Sequence, residues 1–299
     1  MIWVIIILAT NLSWALVNVG DKYIIGHRIK NFIVYFIWLA YIGLYALFLI
    51  PFIDFFIPPL SMLVLLFVAS AIFSYSALPY AKALKIENVT RINVWWSMVP
   101  IFTLLIAWLA IDEHLKGIQL IAFVILVAGS FLASLRFEKG KKKISKGLWY
   151  MVIAAFGYAI CATIFRYLAL DIPFSVLFVW GSIFNAIAFS LLLISRGIRL
   201  DFVKYWKTLT PKLSGGIAGI AIVDNLGLLF NIWAFSLVPA ALVNSLIGTQ
   251  AIFVFIIAVI IHRFSPVILK EEMDIRNVIM KISAIALVAV GIAVLYLGG

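Results

Sequence analysis

Apolar runs about 20 residues long, separated by short polar breaks, are what most limits this 299-residue chain. A helix of that length crosses about 30 Å, the thickness of a bilayer's hydrocarbon core. Inside hydrocarbon every backbone N–H and C=O must be bonded within the protein, which leaves helices or closed barrels. Barrel strands would give short alternating segments, and these runs are continuous. Composition agrees: 66% of residues are hydrophobic and 12% charged, with mean hydropathy +1.20. A soluble domain is nearer half apolar and a quarter charged. The expected fold is an all-α membrane protein of ten transmembrane helices. They fall near 1–20, 32–52, 60–80, 92–111, 117–135, 147–168, 174–195, 213–237, 240–261 and 278–297. Residues 1–20 lack a basic leading segment and read as a retained helix, not a cleaved signal. The single cysteine, Cys161, excludes an internal disulfide.

A net charge of +11 raises the question of nucleic acid, and the placement of the bases answers it. Of the 23 Lys and Arg residues, 21 lie in odd-numbered loops between spans, six of them in RFEKGKKKISK (136–146). The other two are Lys116 and Arg166. The positive-inside rule then puts the odd loops in the cytoplasm and both termini outside a cell membrane. Anionic lipid heads are the expected partners of that charge, and nucleic acid is not.

The chain also repeats itself. WALVNVGDKY (14–23) lies over YAICATIFRY (158–167), pairing Trp14 with Tyr158 and Lys22 with Arg166. FIWLAYI (36–42) lies over FVWGSIF (178–184), and residues 81–102 lie over 232–253, pairing Asn93 with Asn244. Gly129 and Gly291 occupy like positions in spans 5 and 10. Five spans per repeat is an odd number, so the halves enter the membrane from opposite sides. That predicts an inverted repeat of 1–135 and 147–299 joined by the basic linker 136–146, an architecture of many alternating-access transporters.

The stretch 77–135 carries an aromatic-x-x-Ala-Leu step (Tyr80 to Leu84), Pro100-Ile101-Phe102 in mid-helix, a Glu113-His114-Leu115 turn and Ala128-Gly129 near a helix end. In this it resembles an EamA domain of the drug/metabolite transporter superfamily. The second half resembles it less closely, with Ala251 in place of the proline and LKEEM (269–273) in place of the glutamate turn. The resemblance implies a secondary transporter, an exporter of small polar metabolites such as amino acids. Spans 1, 3, 4, 6, 8 and 9 would line a central cavity, and spans 5 and 10 would lie outside it. Members are usually described with both termini inside, so the charge distribution here predicts the opposite orientation.

Asp224 is the foremost candidate, a carboxylate near the middle of span 8, in a run otherwise suited to lipid. Such a group costs roughly 2.5–3.5 kcal/mol on insertion scales and is functional by default. It could exchange a proton between alternating states or bind a substrate ammonium; a structural Asp held by neighbouring hydroxyls or amides is the alternative. Helical spacing puts Gly227, Leu228 and Asn231 on its face, and its repeat counterpart is Phe73.

Asn93, Ser97 and Pro100 share a face of span 4, and Asn244, Gly248 and Thr249 share one of span 9. Pro100 removes a helix hydrogen bond, freeing a carbonyl to kink the helix or coordinate a ligand. Plain interhelical hydrogen bonding, worth about 0.6 kcal/mol on average, is the competing account. Asn11, Asn18 and Trp14 from span 1 join Tyr158 as expected substrate contacts, with interface anchoring the alternative for the aromatics. Lys22 and Arg166 read as end anchors or a gating pair.

Asp112-Glu113-His114 invites a metal or hydrolase reading, but three consecutive residues at a turn lack ligand spacing. No metal, cofactor or enzymatic activity is expected. GGIAG (215–219) fits close helix packing. No G-x-x-x-x-G-K-[ST] motif is present, so this chain alone is not an ATP-driven pump. Three readings stay open besides: a non-transporting assembly factor or lipid-related subunit, a multidrug or organic-cation transporter, and either a monomer or a homodimer.

Overall fold

The computed structural model describes residues 2–29, 31–87, 89–134, 145–264 and 275–297, and among them the chain is helical with no strand. The helices are α1 (Ile2–His27), α2 (Phe32–Gly43), α3 (Leu60–Ile86), α4 (Val89–Trp96), α5 (Val99–Ile111), α6 (Gly117–Ser134) and α7 (Lys146–Leu168). They continue as α8 (Phe174–Leu191), α9 (Arg196–Thr208), α10 (Pro211–Leu237), α11 (Ala240–Ser245), α12 (Thr249–Phe264) and α13 (Ile275–Leu297). A 3₁₀ segment, Leu44–Phe52, extends α2. Most of the basic linker and the whole of LKEEM (269–273) lie outside the described residues.

Local chemistry sets the ends. Asn31, Ser145 and Thr210 accept from the first-turn amides of Ile33, Gly147 and Leu213, capping α2, α7 and α10, as such side chains do where four N–H groups lack helical partners. Pro59, Pro173 and Pro239 hold an extended backbone immediately before α3, α8 and α11.

Among the described residues, seven helical segments are long and apolar enough to cross a membrane, and three more apolar helices, Val99–Ile111, Gly117–Ala133 and Ile282–Leu297, are shorter. The span expected over 92–111 is broken at Ser97–Met98, where Pro100, in the first turn of α5, cannot donate to the carbonyl four residues back. The span expected over 240–261 breaks at the matching place, Leu246–Gly248, with no proline near it. There the cause is packing. A Cβ on Gly248 would overlap Cα and Cβ of Ser130 and lie 2.6 Å from its carbonyl oxygen.

Packing is reciprocal between the halves. Helix α3 lies on α7 as α10 lies on α1, α5 on α7 as α12 on α1, and the pairs α2–α8 and α6–α13 pack on each other. Gly129 meets Val288 at 3.0 Å, and Gly291 meets Leu126 at 2.7 Å. These four residues are repeat equivalents taken crosswise. Two buried apolar clusters sit at the two ends. One holds Trp3 and Ile7 of α1 with Phe165 and Leu168 of α7; the other holds Ile24 and Ile25 of α1 with Met151 and Ala154 of α7. So α1 and α7 run in opposite directions.

Among the described residues α9 breaks the pattern; the corresponding place in the first half is a short turn before Leu60. Its Phe202 packs on Trp38 and Tyr41, and Asn31 Nδ2 donates to Asp201 at 2.8 Å. Arg199, Leu200, Val203, Trp206 and Lys207 face outward.

If Gly248 is there to let two helices approach, Gly248→Ala should lower the apparent stability in detergent by about 1–3 kcal/mol. Gly215, which has nothing within 4 Å of its Cβ position, should tolerate alanine to within about 0.5 kcal/mol. Equal thermal midpoints for the two variants would refute this account.

Candidate functional site

Between the two clusters lies a cavity of about 140 Å³. Its wall takes Trp14 and Asn18 from α1, Ser74 and Tyr80 from α3, Trp96 from α4, Tyr158 from α7, Asn185 from α8, and Asp224 and Asn225 from α10. Gln250 of α12 completes the polar set, and Phe36, Phe73 and Phe189 supply apolar faces. Helices α2 and α8, which are not among the spans expected to line it, contribute as well. Among the described residues no Lys, Arg or His lines the cavity.

Trp14 and Tyr158, related by the repeat, meet edge-to-face with centroids 5.9 Å apart. On one side of the pair Phe73 leans on Tyr158 at 6.2 Å; on the other the Trp14 indole lies within electrostatic reach of the Asp224 carboxylate. Phe73 and Asp224 are repeat equivalents by sequence, so one position holds a ring contact in one half and an acid in the other. Asp224 is half-buried and faces the cavity.

The structure thus brings Asp224, Trp14, Tyr158 and Asn18 to one wall. Asn231 stands behind it, accepting from the Tyr158 hydroxyl at 3.1 Å, with its own Nδ2 buried and unpartnered. The other candidates lie off the cavity. Asn11 donates to Leu246 O at 2.9 Å and Thr249 Oγ1 at 2.8 Å, fastening α1 to the break between α11 and α12. Asn244 donates to Thr103 at 2.9 Å, joining α11 to α5. Asn93 donates to Val89 O in its own helix, Ser97 reaches Ser130 O at 3.5 Å, and Gly248 packs on Ser130. Pro100 is buried beside its helix break.

Lys22 and Arg166 occupy equivalent places at opposite ends. Lys22 Nζ donates to Leu84 O at 2.6 Å and Glu87 O at 2.9 Å. Arg166 donates to Phe235 O at 2.7 Å and to Glu113 at 2.7 Å. Leu84 and Phe235 are themselves repeat equivalents, so each base holds a carbonyl at the C-terminal end of the matching helix. Glu113 also accepts from the Ala240 amide at 3.0 Å, at the start of α11. Asp112 and His114 pair with each other on the surface. Among the described residues no group of three or more His, Cys, Asp or Glu comes together to hold a metal.

Reading by sequence missed Asp21, Tyr80, Asn185, Asn225, Gln250 and the Arg166–Glu113 pair. A signal for Asp21 was present: Asn11, Trp14, Asn18 and Asp21 follow one helical face. Its neighbour Lys22 made it look like a loop charge.

Breaking the clasp tests its weight. Both partners of the Arg166–Glu113 pair are about seven-eighths buried, so Glu113→Ala should cost about 3 kcal/mol, the low end for a buried pair that loses one member. Asp112→Ala, beside it but exposed, should leave the melting midpoint in place; equal losses would show that the turn, not the pair, matters.

One solved crystal structure matches over 98% of this chain and 96% of its own, with TM-score 0.65 and 15% identity; at that identity the match shows the fold alone. No curated protein matches the sequence. Residues 1–135 of this multi-pass membrane protein match the family described as the EamA-like transporter family.

Proposed function

We propose that this protein is a secondary active transporter that exports small polar, amine-bearing metabolites, amino acids among them, by alternating access. The observation that carries the reading is a cavity walled by helices of both halves, with one carboxylate, several amides and no basic side chain on its wall. A carboxylate without a cationic neighbour suits a ligand ammonium. The amides of Asn18, Asn185 and Gln250 offer donors and acceptors to the rest of a small solute. A non-transporting assembly factor or lipid-related subunit needs no cavity reaching Asp224. The multidrug or organic-cation reading draws on the rings of Trp14, Trp96 and Tyr158, whose faces attract cations.

Architecturally, the reading takes the seven spanning helices and three shorter apolar ones as two inverted five-helix repeats, 1–135 and 147–299. The crosswise glycine contacts of α6 and α13 and the matched Lys22 and Arg166 bonds support it. Alternation would loosen the contacts at one end while keeping those at the other. Asp224 is the group at which a proton and a substrate amine compete, which couples export to a proton gradient. The outward bases and apolar side chains of α9 would rest on anionic lipid heads.

In proteoliposomes, Asp224→Asn should abolish proton-coupled flux of an amine solute while the melting midpoint holds. Transport with unchanged pH dependence would remove Asp224 from coupling. Orientation is checked separately: a single cysteine placed within 136–146 should resist a membrane-impermeant thiol reagent applied to intact cells, and ready labelling would reverse the assigned sidedness.

A further inference from the structure

A second acid lies just behind the cavity wall. Asp21 of α1 is 2% exposed. From α2 the Tyr35 hydroxyl donates to its Oδ1 at 2.6 Å, and from α3 the Tyr80 hydroxyl reaches its Oδ2 at 3.3 Å. From α10 the Asp224 carboxylate is within electrostatic reach. The adjacent base on α1, Lys22, turns its ammonium to the Leu84 and Glu87 carbonyls. Among the described residues no cation pairs with Asp21.

Tyr80 makes this acid more than a buried oddity. Its hydroxyl lies 2.8 Å from Asn18 Oδ1 as well as 3.3 Å from Asp21, yet it carries one proton and can donate to only one of them. Tyr80 and Asn18 both line the cavity, and Asn18 Nδ2 is buried without a partner. An amide more than nine-tenths buried, with an unspent donor at the cavity, is costly unless something else uses it. The repeat sharpens the point. The counterpart of Asp21 is Phe165, a core residue, as the counterpart of Asp224 is Phe73. Twice the scaffold is satisfied by phenylalanine where this chain places an acid.

We propose that Asp21 is a second proton-binding site, joined to the cavity through the Tyr80 hydroxyl and the Asn18 amide and separate from the solute contact at Asp224. With Asp21 ionised, Tyr80 turns its proton to the carboxylate, and Asn18 loses that donor. When Asp21 takes one proton from a hydronium ion, an O–H bond forms on its carboxyl as one O–H bond of the hydronium breaks, leaving water. Tyr80 then donates to Asn18 Oδ1 and accepts from Asp21. The state of a buried acid is thereby read at the cavity wall, through the orientation of one amide. Its part in coupling rests on the transport reading above; proton uptake itself does not.

The test needs no solute. Infrared difference spectra of the protein in lipid nanodiscs would follow the carbonyl stretch of protonated carboxyls across about pH 5 to 9. One titrating component should vanish in Asp21→Asn and survive in Asp224→Asn. An Asp21→Asn difference spectrum that superimposes on the wild type overturns the proposal, as does loss of the whole signal in Asp224→Asn. Should Asp21→Asn not fold, Tyr35→Phe and Tyr80→Phe keep the carboxyl and remove one phenol each. Either should change the proton affinity of that component several-fold, and no change in both defeats the assignment. A failure of Asp224→Asn to alter flux would count against the transport reading and leave this one standing.

Discussion

A backbone carbonyl freed at a helix end has no water to turn to inside a bilayer, and much of this structure follows from how such groups are satisfied. Leu84 and Phe235, in the last turns of α3 and α10, are buried within the protein. Each is met by a base from the partnering helix of the other kind, Lys22 of α1 at Leu84 and Arg166 of α7 at Phe235. Those bonds fix how far each long helix slides along its neighbour, and hence where Trp14 and Tyr158 meet. The broken helices obey the same rule. Irregular backbone at Ser97–Met98 and at Leu246–Gly248 is tolerated because it is buried in protein, with Asn11 bonding the Leu246 carbonyl.

On the proposed inverted-repeat frame, function would show as departure from symmetry. A polar group needed only by the scaffold should recur in both halves, and Lys22 and Arg166 do. Asp21 and Asp224 do not. Each stands where the other half has phenylalanine, and each sits among aromatic groups: the Tyr35 and Tyr80 hydroxyls bond Asp21, and the Trp14 indole lies within electrostatic reach of Asp224. A carboxylate retained in a membrane interior with only neutral partners carries a cost that packing alone would remove by substitution.

The all-helical, membrane-spanning character of the chain was legible in sequence because hydropathy and helical spacing act over short stretches. What escaped was set by contacts between distant segments. Pro100 announced its helix break, but the matching break at Gly248 depends on Ser130, more than a hundred residues away, and has no local mark. Glu113 read as a turn residue because Arg166 and Ala240, which it joins, are 53 and 127 positions off. Asn93 and Asn244 share a sequence position but not an environment: one bonds within its own helix and the other reaches Thr103. Periodicity gives the face a side chain occupies, and it does not give what stands opposite.

The two ends of the cavity bear on how the halves could alternate. At the Arg166 end one glutamate, Glu113, joins a base to the start of α11. At the Lys22 end another, Glu87, accepts from Arg91 at 2.9 Å and from Ser145, the capping residue of α7. Each end is therefore an acid bridging a base and a helix N-terminus, beside a base that holds a helix C-terminus. Charge-assisted bonds of this kind contribute about 1.5–3 kcal/mol each, so a large excess at either end would lock the protein in one state. Alternation requires states within a few kcal/mol of one another, and ends built from the same kinds of bond meet that requirement. In the proposed cycle, the likeness of the two clasps would keep the two states close in energy, while the asymmetry of the acids would give a proton or a ligand the means to choose between them.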